Sequence, residues 1–167
     1  MFGPKDAPVH LGRMSADHID EVDDFSDSFA FSAWEHGKKE LIDDVFMTPF
    51  HAIHPIEAFS LRMEHTKTGQ VICYTGDTAY TDDLVPAAQD ADILLAEAAW
   101  GCEVEGRPQG MHMSGTQAGT LARLADVKKL VLVHLQPWSD PQSTLEAARS
   151  EFDGEIVLGA PGMEFQL

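Results

Sequence analysis

Three short apolar runs set the terms for this chain: VICYT (residues 71–75), DILLAE (92–97) and KLVLVH (129–134). Each is almost continuously apolar and rich in Ile, Leu or Val, the pattern of a strand covered on both faces. Each also halts at chemistry. The first runs into Gly76-Asp77, the second into Glu97 and the third into His134. Helix-like segments lie between and after them. SGTQAGTLARLAD (114–126) opens with Ser114 and Gln117 at the spacing of a capping box, and its apolar residues return every three or four positions. TDDLVPAAQ (81–89) reads as a short helix interrupted by Pro86, and DPQSTLEAARSEF (140–152) as one capped by Asp140 with Pro141 in its first turn. Strands alternating with helices indicate an α/β layered fold.

Further strands flank this series. FSLRME (59–64) precedes VICYT across the polar turn HTKTGQ, and EIVLG (155–159) and MEFQL (163–167) close the chain as short strands. Residues 1–50 have weak periodicity and contain DHIDEVDDFSD (17–27), an acidic run that reads as a solvated loop. With 167 residues the chain suits one domain with a real core. The expectation is a single domain, irregular and acidic over 1–50 and an α/β core over 51–167.

In open α/β sheets, ligands gather beyond the carboxyl ends of the strands. Asp77, Glu97 and His134 would meet there if their strands are parallel neighbours. Taken singly, Asp77 caps a helix, Glu97 ends a strand at the surface and His134 is a hydrogen-bonded core histidine. His54, in HAIHPIEAF, is held extended by Pro55. His51 reads as a loop histidine. His112, in GMHMSG just before a capped helix, either faces solvent or gives a proton to a leaving group. His10, His18, His36 and His65 have no partner at useful spacing and read as surface residues.

Charge narrows the classes further. Acidic residues number 28 against 11 basic ones, for a formal net charge of -17. Such a surface repels polyanions at long range, which disfavours stable nucleic-acid binding. No apolar run approaches the length of a membrane span, and the N-terminus lacks a leader pattern. Cys73 lies in an apolar strand and Cys102 in a loop, as free thiols would in a reducing compartment. The expected location is the cytoplasm.

In their order and spacing, HPIEAFSLR, YTGDTAYTDDL, LLAEAAW, HMSGTQAG and LVLVHLQPW resemble the second half of a metallo-β-lactamase-fold hydrolase. The likeness is to the ribonuclease Z-like branch, including actinobacterial phosphodiesterase-like members, and runs from GPKDAPVHLGRM to about Gly154. The resemblance implies an αββα sandwich with two divalent metals, usually zinc, at the strand ends. It implies His54 and His134 as ligands of different metals and Asp77 as the carboxylate bridging both. It also implies His112 as the group protonating the leaving oxygen and Glu97 as an orienting acid. The implied chemistry is metal-assisted hydrolysis of a phosphodiester.

The family's His-x-His-x-Asp-His signature is absent. HLGRMSADH (10–18) has different spacing. The chain is therefore expected to be an incomplete sandwich, the C-terminal half, with about two protein ligands per metal, fewer than a catalytic zinc usually has. An uncovered apolar sheet face would favour homo-oligomers. Two functional expectations follow. One is a phosphodiesterase-type hydrolase of a small substrate such as a cyclic nucleotide, impaired in this form. The other is a catalytically silent domain serving interaction or oligomerisation. An unrelated α/β domain with coincidental histidines is a third reading.

Overall fold

The computed structural model describes residues 1–166. They form two compact units, Met1–Glu35 and the chain from His36 onward. In the first unit, β1 (Phe2–Gly3) and β2 (Ser32–Ala33) pair in parallel, and the Phe2 and Trp34 rings stack with centroids 4.7 Å apart. Between them lies α1 (Ala7–Ser15), which the weak periodicity of this stretch did not suggest. The acidic run after α1 is almost wholly exposed, as expected of a solvated loop. It is shaped by short polar contacts such as Ser15 Oγ donating to Asp23 at 2.6 Å.

The second unit holds β3 (Glu40–Ile42), β4 (Val45–His51), β5 (Phe59–His65), β6 (Val71–Tyr74), α2 (Leu84–Ala88) and β7 (Ile93–Glu97). It continues with α3 (Gly115–Leu124), β8 (Lys129–Val133), α4 (Pro141–Arg149) and β9 (Glu155–Leu158). All seven strands join one sheet in sequence order. From β3 to β6 the pairing is antiparallel; from β6 to β9 it is parallel. The condition for convergence is thus met. β6, β7 and β8 are parallel neighbours, with Cys73 opposite Leu94 and Glu97 opposite Val133.

Alternation along each strand sorts the side chains between two faces. Cys73, Leu94, Ala96, Leu130 and Leu132 are fully buried in one cluster with Leu121 and Ala122 of α3 and Ala148 of α4. Burying each leucine stabilises the fold by roughly 1.5–3 kcal/mol. Both larger helices are capped as their sequences require. Ser114 Oγ accepts from Gln117 N–H while the Gln117 side chain accepts from Ser114 N–H, and Asp140 accepts from the N–H groups of Gln142 and Ser143. On the opposite face, Leu95, Val131 and Val133 line a hollow of about 480 Å³ together with Met163 and Phe165 from the C-terminal stretch. This arrangement is one helix-covered sheet of the layered sandwich that the sequence implies.

Three local expectations need correction. β3 and β4 lie within the stretch expected to be irregular. Pro49 sits inside β4, but its carbonyl accepts from Gly37 N–H at 2.7 Å, on the side away from β5, so its missing N–H leaves the β4–β5 ladder intact. The helix expected over 81–89 is only Leu84–Ala88, because Asp82 and Asp83 form a turn first. MEFQL is not a strand over 163–166. Gly159 N–H still bonds Leu132 at 2.8 Å, but the turn closed by Met163 N–H on Ala160 takes the chain off the sheet edge. The last residue of that segment lies outside the described residues.

Candidate metal centre

Three strand ends and one loop build the site. β6 ends at Tyr74, and Gly76 follows with φ +60°, a left-handed conformation that suits glycine. A Cβ there would come within 3.3 Å of the Phe59 carbonyl. The turn leaves Asp77 in the crevice and away from α2, whose N-cap is Asp83, so Asp77 is no helix cap. At the end of β8 the chain also turns sharply. His134 has φ +56°, a conformation that costs a non-glycine residue energy and is held by its surroundings. Its Nδ1 lies 3.1 Å from Asp77 Oδ1, and its Nε2 accepts from the Gln136 amide at 3.0 Å.

Glu97 closes β7 and is fully buried. Its two oxygens are occupied by donors: Oε1 accepts from Thr78 N–H at 2.9 Å and Oε2 from Ala99 N–H at 2.9 Å. His112 Nδ1 lies 2.8 Å from Oε1. A carboxylate already accepting from two backbone groups acts as acceptor here too, so the hydrogen resides on His112 Nδ1 and leaves a lone pair on Nε2. Burial pushes the Glu97 carboxyl above its ordinary range, while the Ala99 and Thr78 N–H groups and then His112 pull it back. Glu97 is therefore not a surface residue: it is buried and hydrogen-bonded to a histidine.

His112 stands at the centre of an aromatic group. Its ring centroid is 4.8 Å from that of Trp100, 5.1 Å from His134 and 5.9 Å from His54, each edge to face. His54 arrives through backbone pairing: Ile53 forms an antiparallel bridge to Ala79, and its N–H donates to Thr78 Oγ1 at 2.9 Å. His51 lies elsewhere, stacked between His36 and Phe59.

Asp77, His112 and His134 each bring one ligand atom within 4.8 Å of the others. Two imidazoles and a carboxylate form the donor set of a three-ligand catalytic site. They fit one divalent cation. Among the described residues no second group of three or more such donors was found, so a second cation would need donors from elsewhere. The structure thus brings together Asp77, Glu97, His112 and His134, with His54 beside His112 and outside the three-donor group. Sequence reasoning missed Trp100 and Gln136. Trp100 ends the LLAEAAW segment three residues after Glu97, and Gln136 follows His134 by two, so proximity in sequence was the available signal.

Comparison with known proteins agrees with this geometry. The chain matches the Beta-lactamase superfamily domain over residues 6–135. It is 35% identical over 167 residues to an uncharacterised protein of Mycobacterium leprae, covering all of this chain and 58% of that protein. Over 104 residues it is 34% identical to a ribonuclease Z of Haloferax volcanii, covering 60% of this chain and 33% of that one. In structure it is similar to the metallo-β-lactamase-fold protein YhfI of Bacillus subtilis, with a TM-score of 0.79 at 22% identity, over 97% of this chain and 62% of the other. The chain spans little more than half the length of the mycobacterial relatives it matches, 56–58%. Matching a family over most of its length, with its strand-end residues gathered in one crevice, the chain belongs to the beta-lactamase superfamily and carries the metallo-β-lactamase fold.

Proposed function

We propose that the chain carries the site of a metal-dependent phosphodiesterase-type hydrolase acting on a small phosphodiester, such as a cyclic nucleotide. The convergence of Asp77, His112 and His134 on one point carries this reading. A divalent cation bound there, zinc by its donor set, would polarise a phosphoryl oxygen and lower the pKa of water. The protein's own residues supply the rest. Asp77 contributes charge and His134 a neutral nitrogen, with His54 nearby as a further ligand. Glu97 holds His112 in one tautomer, so that its Nε2 lone pair serves the cluster either as third donor or as the base that would take a proton from the attacking water and return it to the leaving oxygen. The net charge of -17 favours a small substrate over a nucleic-acid chain. Two free cysteines suit the cytoplasm.

Metal analysis with bis(p-nitrophenyl) phosphate hydrolysis tests the reading. We expect about one divalent metal per chain and measurable turnover, both lost in Asp77→Ala. Metal-free wild type without turnover, after incubation with zinc or manganese, would overturn it. His112→Ala separates the two tasks of that residue. Retained metal with lost turnover makes it the proton donor, whereas lost metal makes it a ligand. A second reading, a catalytically silent domain that self-associates through its apolar sheet face, is favoured by the open apolar hollow that Leu95, Val131 and Val133 line on that face.

A further inference from the structure

Beside the metal centre lies a cavity of about 430 Å³, within the size range of small-molecule sites. Its walls include Tyr80, Trp100, Arg107 and Gln117, and His112 forms the border with the cluster. The edge-to-face contact of Trp100 with His112 ties the cavity directly to the reacting centre. The Arg107 guanidinium stands over the Trp100 ring, 5.8 Å from its centroid. We propose that this cavity is the nucleobase subsite of the substrate, with the base stacked on Trp100 and covered by Arg107. The proposal rests on the hydrolase reading and adds to it the cavity and the residues that would hold the base.

Several features favour a base over other occupants. An indole face and a guanidinium form a stacking platform for a flat π-system. The distance of 5.8 Å is slightly too short to admit a base between them, so Arg107 must swing outward to make room. It can do so because it is exposed, on a loop bounded by Gly106 and Gly110, both at φ +73°. The rim also offers hydrogen-bonding edges. Gln109 contributes an amide, and Gln117 uses its oxygen to accept from Ser114 N–H and keeps its amide nitrogen as a donor. A simple hydrocarbon ring would use neither. Arg107 is balanced by Glu105 in the same wall, so the cavity has no net positive charge with which to hold a polyphosphate or a nucleic-acid backbone.

The test is calorimetric titration of the full chain, stripped of metal by chelation, with adenosine 5′-monophosphate and with ribose 5-phosphate. We expect the nucleotide to bind at least about tenfold more tightly than the base-free sugar phosphate. Arg107→Ala and Trp100→Leu should each weaken nucleotide binding by about tenfold, with ribose 5-phosphate unmoved by Trp100→Leu. Arg107 lies on an exposed loop, so Arg107→Ala carries the test even if Trp100→Leu fails to fold. Equal affinities for the two ligands, or a nucleotide affinity unaltered by Arg107→Ala, would overturn the proposal. Hydrolysis of bis(p-nitrophenyl) phosphate with added zinc, in the same preparations, keeps the two ideas apart. Turnover without base discrimination removes only the subsite, and base discrimination without turnover removes only the hydrolase.

Discussion

Glu97 shows how one buried residue can set the state of a donor group through a single member that it holds. Both of its oxygens accept hydrogen bonds, from Thr78, Ala99 and His112. Glu97→Gln keeps the shape, but its amide NH₂ must replace one of those acceptors. In either orientation a donor then faces a donor. Leaving such a buried group unmatched costs about 1–3 kcal/mol. The orientation of His112 should suffer most, since the Thr78 and Ala99 N–H groups are fixed by the backbone. We expect activity to fall about 10–100-fold, the size typical when the partner of a metal-site histidine is lost. Steady-state hydrolysis measured beside a urea titration checks this, and unchanged activity would remove Glu97 from its positioning role.

At the scale of elements, the packing of α3 on α4 depends on two glycines. A Cβ on Gly119 would run into the Ala148 backbone, and one on Gly115 into the Thr144 carbonyl. Gly119→Ala therefore sets two effects against each other. Alanine gains about 1 kcal/mol of helix propensity, while overpacking against backbone that cannot rotate away costs about 1–3 kcal/mol. The clash should win, and a lowered urea midpoint for Gly119→Ala is the expected result. These elements were legible because their signals are local. The capping box at Ser114, the Asp140-Pro141 start and the β-branched runs state their own structure. β4 was not legible, since VFMTPFH carries a proline whose tolerance depends on which side of the strand its missing N–H faces. That is a tertiary fact. The same limit applies to the site. Asp77, Glu97 and His134 could be read from strand ends, whereas the edge-to-face contact of Trp100 with His112 arises only when the loop folds back.

At the scale of the whole molecule, negative charge dominates, so the few cations are placed with effect. Lys128 Nζ donates to Asp92 at 2.7 Å, and Val71 N–H donates to the same carboxylate at 2.7 Å, joining the starts of β6, β7 and β8. The Lys128 ammonium first, then the Val71 N–H, hold the Asp92 carboxyl below its ordinary range. A depressed carboxylate pKa means the folded state favours the ionised form. The stabilisation is then present above the ordinary carboxylate range and fades as pH falls through the folded value. Asp92→Asn should be less stable than wild type by about 1 kcal/mol near pH 7. The difference should shrink as pH falls below the ordinary carboxylate range, in urea titrations at each pH. A constant difference across that range would assign the loss to packing alone.

The site residues come from distant parts of the sequence: His54 after β4, Asp77 after β6, His112 before α3 and His134 after β8. None of them neighbours another in the unfolded chain, so the crevice exists only once β8 has docked on β7. An ion seated there would act as a rivet through the seam between β7 and β8, tightening the parallel half of the sheet with the logarithm of its concentration once that exceeds the dissociation constant. Scarcity of that ion would then be felt as mechanical slackness along this seam as well as in the chemistry.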